Sequence, residues 1–182
     1  LQITELEISG GYNLEVFKSD KDSLEFFGPD LLVKKYSVIE EQNGKLKIES
    51  KVNLAYYPYY LRIKLYVKDL ERLSLKNGAV FNLWQMKGDS IEVIAKDSSL
   101  VRISGSEYKY ARLEASNRAI ISLEKTDVAK VSVKDQSMVV INVGENGISG
   151  MLDKEATLIA NGKKFNQNDF VSDVQNKRMV KK

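Results

Sequence analysis

The chain has 182 residues, a formal net charge of +3, and a composition that is 43% hydrophobic and 29% charged, which is ordinary for a globular protein. It contains no Cys and no His, which excludes disulfides, Cys/His metal sites, thiolate nucleophiles and histidine bases, and we predict neither a cofactor nor a metal. The small net charge gives no sign of nucleic-acid binding, and no apolar run reaches the roughly 20 residues of a transmembrane helix.

The first 68 residues read as short strands without a clean repeat, for example "LEISGGYNLEVF" and "YYLRIKLYV". Asn43-Gly44 lies between two alternating apolar segments, which is a strong signal for a β-hairpin turn. An uncovered strand edge is prone to pair with other chains. We therefore predict that residues 1–68 form an N-terminal β cap on the part of the chain that follows.

Four tyrosines surround Pro58 in the segment "NLAYYPYYLRI". Flat aromatic rings stack on sugar faces, and their hydroxyls bond polar ligands. Tyr also favours strands, so alternate rings packing on the neighbouring strand is the competing interpretation. The candidate ligand-binding residues of this segment are Tyr56, Tyr57, Tyr59 and Tyr60.

A repeat of about 19 residues occupies the middle of the chain. The segment "VKDQSMVVI" has three upstream counterparts, "LKNGAVFNL", "AKDSSLVRI" and "ASNRAIISL". Within each copy the apolar residues alternate with polar ones, which is the periodicity of a strand. Aligning the copies gives apolar columns, of which the clearest are Leu73, Val93, Leu113, Val131 and Phe81, Val101, Ile121, Val139.

A strand repeat with no room for a helix predicts an all-β parallel β-helix, a β-solenoid with about 18–20 residues per rung. We assign residues 69–165 to this solenoid and residues 166–182 to a polar, basic C-terminal tail, all within one structural unit. An antiparallel β-sandwich whose strands merely look alike is the competing fold.

Two further columns support the alignment. One is an outward charged column, which would bring opposite charges together between the first three copies. Its members are Arg72, Glu92, Arg112 and Lys130. The other column is a turn column, because Asn and Asp tolerate left-handed backbone and an amide between carboxylates separates like charges. Its members are Asn77, Asp97, Asn117 and Asp135.

Two features bear on chemistry. Trp84 directly follows apolar Leu83, so it points to the opposite face of the strand, either as a surface binding residue or as a corner residue packing on Met86. Asp97 and Asp135 are two copies apart, about 9–10 Å by strand spacing, which is too far for a shared metal. We therefore predict no catalytic residues and no enzyme activity.

Several segments resemble the putative auto-transporter adhesin, head GIN domain family of secreted bacterial proteins. They are "ITELEISGGYNLEVF", "GKLKIES", "LERLSLKNGAVFNL", "RISGS" and "NGISG", and the likeness spans roughly residues 3–165. The resemblance implies a β-helix, for which crossover chirality favours the right hand, together with export to the periplasm, outer-membrane surface or medium and an adhesive role. It supplies no binding or catalytic residues. Because the chain begins at Leu1, we expect a signal peptide to be absent from the printed sequence.

Three functions remain open at this point. The first is a non-catalytic adhesion module that recognises a glycan, a matrix polymer or an envelope protein, because a ladder surface presents the same groups at regular spacing. The second is a structural scaffold of the envelope without a small ligand. The third is a carbohydrate-active lyase or hydrolase, which requires clustered carboxylates that the sequence does not bring together.

Overall fold

Strands account for nearly all regular structure in this computed structural model, which describes residues 2–28, 37–50, 61–144, 147–168 and 170. Alternating buried and exposed side chains along most strands show why these segments are extended, since such strands have one face in the core. The strands of the described residues are β1 (Glu5–Ser9), β2 (Tyr12–Lys18), β3 (Ser23–Phe27), β4 (Ser37–Gln42), β5 (Lys45–Ser50), β6 (Leu61–Val67), β7 (Arg72–Lys76), β8 (Val80–Trp84), β9 (Lys87–Ala95), β10 (Leu100–Ala115), β11 (Ile120–Val133), β12 (Met138–Val143), β13 (Ile148–Leu152), β14 (Thr157–Ala160) and β15 (Lys163–Phe165).

Consecutive copies of the repeat pair in parallel, and the predicted columns are confirmed by the strand register. Val93 of β9 lies opposite Leu73 of β7 and opposite Leu113 of β10. Val101 of β10 likewise lies between Phe81 of β8 and its counterpart on β11. The members of both columns are buried, so they form a continuous part of the core.

The predicted right-handed parallel β-helix with a β cap is wrong as a description of the fold. The fold is all-β, but its strands form one open, strongly curled sheet of mixed orientation, a half-barrel. Within the described residues, β3–β6, β4–β5 and β14–β15 are antiparallel pairs, and the longest path through the sheet ends at β4 and β15. The repeat determines register between neighbouring copies only. It carries no information on the direction of the flanking strands, of which β4 and β5 reverse at Asn43-Gly44 as the hairpin signal predicted.

The N-terminal strands lie inside the sheet order. β1 lies between β5 and β7, and β2 lies between β6 and β8, so the first strands share one sheet with the repeats. The division into residues 1–68, 69–165 and 166–182 stays a prediction.

Two long strands change direction and so divide the sheet into two walls. The register of β10 with β11 shifts between Ile103 and Glu107, and that of β11 with β12 shifts between Leu123 and Thr126. We call the strands before this corner the first wall and those after it the second wall. The first wall comprises β3, β6, β2, β8, residues 100–104, residues 120–123, β12 and β14, and the second wall comprises β5, β1, β7, β9, residues 107–115, residues 125–133 and β13. Inward side chains of both walls form one hydrophobic core.

Candidate functional site

Trp84 is the predicted binding residue that the structure describes, and it lies at the end of β8 on the outer face of the first wall. Its side chain is 42% exposed, whereas Leu83 and Met86 on either side of it are buried. The four tyrosines Tyr56, Tyr57, Tyr59 and Tyr60 lie outside the described residues. Their role as ligand-binding residues stays a prediction.

Trp84 continues a row of aromatic side chains across three adjacent strands. Phe17 of β2 lies in register with Trp84 on one side and with Tyr66 of β6 on the other. The rings of Phe17 and Tyr66 are stacked, with centroids 5.5 Å apart and an interplanar angle of 27°. We call Tyr66, Phe17 and Trp84 the aromatic column.

The local sequence explains why these rings face outward. In β6 the inward positions are Leu61, Ile63, Leu65 and Val67, so Tyr66 falls on the opposite face of the strand. Phe17 alternates with the buried Val16 in the same way. The alternation within each strand predicts that Phe17 and Tyr66 face outward. The sequence analysis did not identify them as binding residues, because the pairing of β2 with β6 and β8 joins segments that are far apart in the chain.

Polar groups border the aromatic column. Ser23 lies opposite Tyr66 and Ser104 lies opposite Trp84, so hydroxyls extend the column at both ends. A second outward row lies two residues away from the aromatic column on each strand, and it mixes hydrogen-bond donors and acceptors. This polar column consists of Glu25, Lys64, Glu15, Asn82 and Arg102.

The outer face of the second wall carries paired charges. Glu92 forms one ion pair with Arg72 at 3.1 Å and another with Arg112 at 3.4 Å, which confirms the predicted complementary column. No group of three or more acidic side chains among the described residues is arranged to hold a metal ion. Exposed pairs of this kind help to set strand register but add little stability, since water and salt screen them.

The predicted turn column occupies left-handed turns between strands. Its four members have φ between 52° and 59°. The side-chain amide of Asn117 donates to an Asp97 carboxylate oxygen at 2.9 Å, across neighbouring copies. The amide of Asn77 donates to the Ser9 hydroxyl, also at 2.9 Å. These residues therefore stabilise the turns between strands, as the sequence predicted.

A groove of about 530 Å³ lies at the corner between the two walls. At its base, Tyr108 is 3% exposed and its hydroxyl has no hydrogen-bond partner in the described part of the chain. Burial, with a smaller contribution from the nearby Asp69 charge, raises the pKa of Tyr108 above its usual value, so the phenol stays protonated. The groove rim is charged, with Glu107 bridging Lys87 at 3.0 Å and Lys125 at 3.4 Å.

We expect Tyr108→Phe to raise the free energy of unfolding by about 1 kcal/mol, because the substitution removes a buried hydroxyl that lacks a protein partner and keeps the ring. Urea denaturation of both proteins at neutral pH measures the change. Tyr110→Phe, at an exposed position on the same strand, is the control and should leave stability nearly unchanged. A loss of about 1 kcal/mol in Tyr108→Phe would mean that the hydroxyl is bonded after all.

The strand pairing defines an all-β protein built on one curled sheet of mixed strand orientation. The chain belongs to the putative auto-transporter adhesin, head GIN domain family, whose model matches residues 2–168. This confirms the family resemblance found in the sequence. The family indicates a surface or exported protein with an external partner, and it favours a non-enzymatic role. No helix in the described residues is long and apolar enough to cross a membrane.

Solved structures share this fold at low sequence identity. A putative adhesin from Parabacteroides merdae has 17% identity and a TM-score of 0.67, over 87% of this chain and 71% of that one. A putative adhesin from Parabacteroides distasonis has 16% identity and a TM-score of 0.55, over 89% and 91% of the two chains. One from Bacteroides fragilis has 11% identity and a TM-score of 0.51, over 88% and 92%. No curated protein matches the chain. At these identities the likeness establishes the fold alone.

Proposed function

We propose that this chain is a non-catalytic adhesion module, exported to the periplasm or the cell surface, that binds a glycan or matrix polymer on the aromatic column of its first wall. The single observation that carries the proposal is the alignment of Tyr66, Phe17 and Trp84 on adjacent strands with Trp84 exposed. Aromatic rings supply large contact area and stack on flat apolar faces, which pyranose rings possess.

The spacing of the column supports a polymeric ligand. Neighbouring strands lie about 4.8 Å apart, so three aligned side chains extend over roughly 10 Å. A linear chain that crosses the strands at right angles would meet one ring per strand. A single small molecule would use only part of this row.

The neighbouring polar column supports a hydroxylated ligand. Lys64 and Arg102 offer donors, Glu15 and Glu25 offer acceptors, and Asn82 offers both. A glycan lying on the aromatic column would present its ring hydroxyls to this row. The arrangement of an apolar platform beside mixed polar groups is typical of ligand sites, in which polar contacts provide orientation.

An envelope scaffold is the second candidate function, and a specific surface favours it. Next to the polar column, outward apolar side chains of four adjacent strands align and shield one another to half-burial. They could join copies of the chain or an envelope protein without any small ligand. This apolar column consists of Val80, Leu100, Ile120 and Met138.

A glycan and matrix-protein array tests the proposal. We expect specific hits for the wild type and roughly tenfold weaker binding for Trp84→Ala, since a stacked aromatic ring is worth about 1 kcal/mol beyond its buried area. Met151→Ala is the matched control, because it also removes a large exposed apolar side chain, 59% exposed, but from the second wall. Equal loss in both variants would contradict the assigned site. A blank array on folded protein would favour the scaffold.

A further inference from the structure

We propose that the corner groove above Tyr108 is a second binding site, which takes one uncharged, hydroxylated sugar unit. The inference rests on the proposed glycan-binding function and deepens it by adding a site separate from the aromatic column. The groove is open to solvent, has a volume of about 530 Å³, and is lined by Tyr108 and by charged residues that include Asp69, Lys87, Asp89, Lys109 and Asp127. A volume of this order accommodates a small ligand.

The first observation is the hydroxyl of Tyr108. Buried polar groups nearly always have a partner, and the exceptions call for an explanation. Here the ring is almost wholly buried, and its hydroxyl meets no partner among the described residues. The hydroxyl is itself buried, and because the phenol remains protonated it can donate a hydrogen bond to a ligand oxygen that reaches the base of the groove.

The second observation is the residue opposite the ring. Gly88 of β9 pairs with Tyr108, and a Cβ at that position would lie 3.0 Å from the ring and 3.6 Å from an Asp69 carboxylate oxygen. The absence of a side chain at Gly88 therefore lets the Tyr108 ring pack directly against the backbone of β9, which sets the position of the ring at the base of the groove. An alanine there would press on Tyr108 and narrow the base of the groove.

The third observation is the balance of charge around the groove. Three lysines and four carboxylates line it, and most are already paired, including Lys109 with Asp89 at 2.6 Å. The lysines lower the pKa of Glu107 and of Asp89, so both carboxyls are ionised at neutral pH. Such a rim offers donors and acceptors in nearly equal number without a strong net charge. It therefore suits a neutral ligand whose hydroxyl groups both donate and accept, and it disfavours an anionic one.

The groove lies next to the aromatic column in the chain. Lys87 and Gly88 follow Trp84 by three and four residues, and Ser104 leads to Glu107 and Tyr108 in the same way on β10. The turn between the walls includes Gln85, whose backbone N–H donates to the carbonyl of Ser104 on β10. A polymer on the aromatic column could thus place a terminal or branching sugar in the groove.

The test is a titration of the purified protein with methyl pyranosides of glucose, galactose, mannose and N-acetylglucosamine, followed by amide NMR shifts and saturation transfer. We expect at least one pyranoside to shift the amides of Gly88 and Lys109, with affinity falling roughly threefold to tenfold in Tyr108→Phe. Tyr110→Phe, at an exposed tyrosine of the same strand, should bind as the wild type does. The methyl glucuronide should bind more weakly than the matching glucoside.

Three results would overturn the inference: no pyranoside binds, the bound pyranoside shifts other amides, or Tyr108→Phe binds with wild-type affinity. Thermal unfolding checks that each variant is folded, and Gly88→Ala supplies a second variant that narrows the groove while keeping the hydroxyl. The outcome separates this site from the proposed function. If polymer binding depends on Trp84 but no pyranoside binds in the groove, the groove site is rejected and the aromatic column is retained. If a pyranoside binds in the groove but Trp84→Ala leaves polymer binding unchanged, the aromatic column is rejected and the groove site is retained.

Discussion

Gly150→Ala is expected to destabilise the protein by about 4 kcal/mol. Gly150 lies in β13 with a φ of +136°, a backbone conformation that residues with a side chain rarely adopt. A Cβ there would lie 1.8 Å from the carbonyl oxygen of Val131, which pairs with Gly150 in β11. The strands would have to separate, so overpacking adds to backbone strain, each costing on the order of 1–3 kcal/mol.

Urea denaturation followed by circular dichroism measures this effect, and Gly78→Ala is the matched control. Gly78 also has a positive φ, +76°, but a Cβ there meets no atom within 4 Å. We expect it to cost about 1 kcal/mol, from the left-handed conformation alone. If Gly150→Ala were no more destabilising than Gly78→Ala, the close pairing of β13 with β11 would be wrong.

Phe81→Ala should lower the free energy of unfolding by about 3–5 kcal/mol, the usual range for deleting a buried aromatic side chain. Phe81 is fully buried in β8, where it lies in register with Leu14 on one side and Val101 on the other. Removing its ring leaves a cavity that these paired strands cannot fill, because their hydrogen-bonded spacing is fixed.

Chemical denaturation again gives the value, with Met151→Ala as the comparison. Met151 is a large apolar residue of β13 that is mostly exposed, and its truncation should change stability by less than about 0.5 kcal/mol. A small effect of Phe81→Ala would show that the aligned inward columns do not form the core. An equally large effect of Met151→Ala would place its side chain in an interface.

Stacking of the repeats was predictable because two signals coincide in the same residues. Strand alternation identifies the inward positions, and the repeat period aligns them, so Phe81, Val101 and Ile121 could be placed in one column before the strand pairing was known. The ion pairs of Glu92 with Arg72 and Arg112 follow from the same alignment. Each inference needed only neighbouring copies and local chemistry.

The fold class was not predictable from that repeat. Whether a stack of parallel strands closes into a helix or opens into a curled sheet depends on the strands at its ends, which lie outside the repeat. β3 pairs antiparallel with β6, and β15 with β14, yet neither segment carries a period that relates it to its partner. The hairpin of β4 and β5 was the exception, because Asn43-Gly44 is a local signal.

The candidate sites divide in the same way. Trp84 could be identified from the sequence because its position after Leu83 sets its face. Phe17 and Tyr66 join it only through the sheet order, in which β2 is inserted between β6 and β8. Tyr108 carries no sequence signal for a groove, since its burial depends on the register shift before Glu107 and on a glycine in the neighbouring strand.

The intrinsic fluorescence of Trp84 offers the most direct test of polymer binding on the aromatic column. Trp84 is the only tryptophan in the chain, so its emission reports on this column without labelling. Titrating the wild type with a glycan identified on the array should shift the emission to shorter wavelength and protect Trp84 from acrylamide quenching, because a bound sugar ring would cover a side chain that is now 42% exposed. Saturable binding by an independent method, with the emission and quenching of Trp84 unchanged, would contradict the proposal.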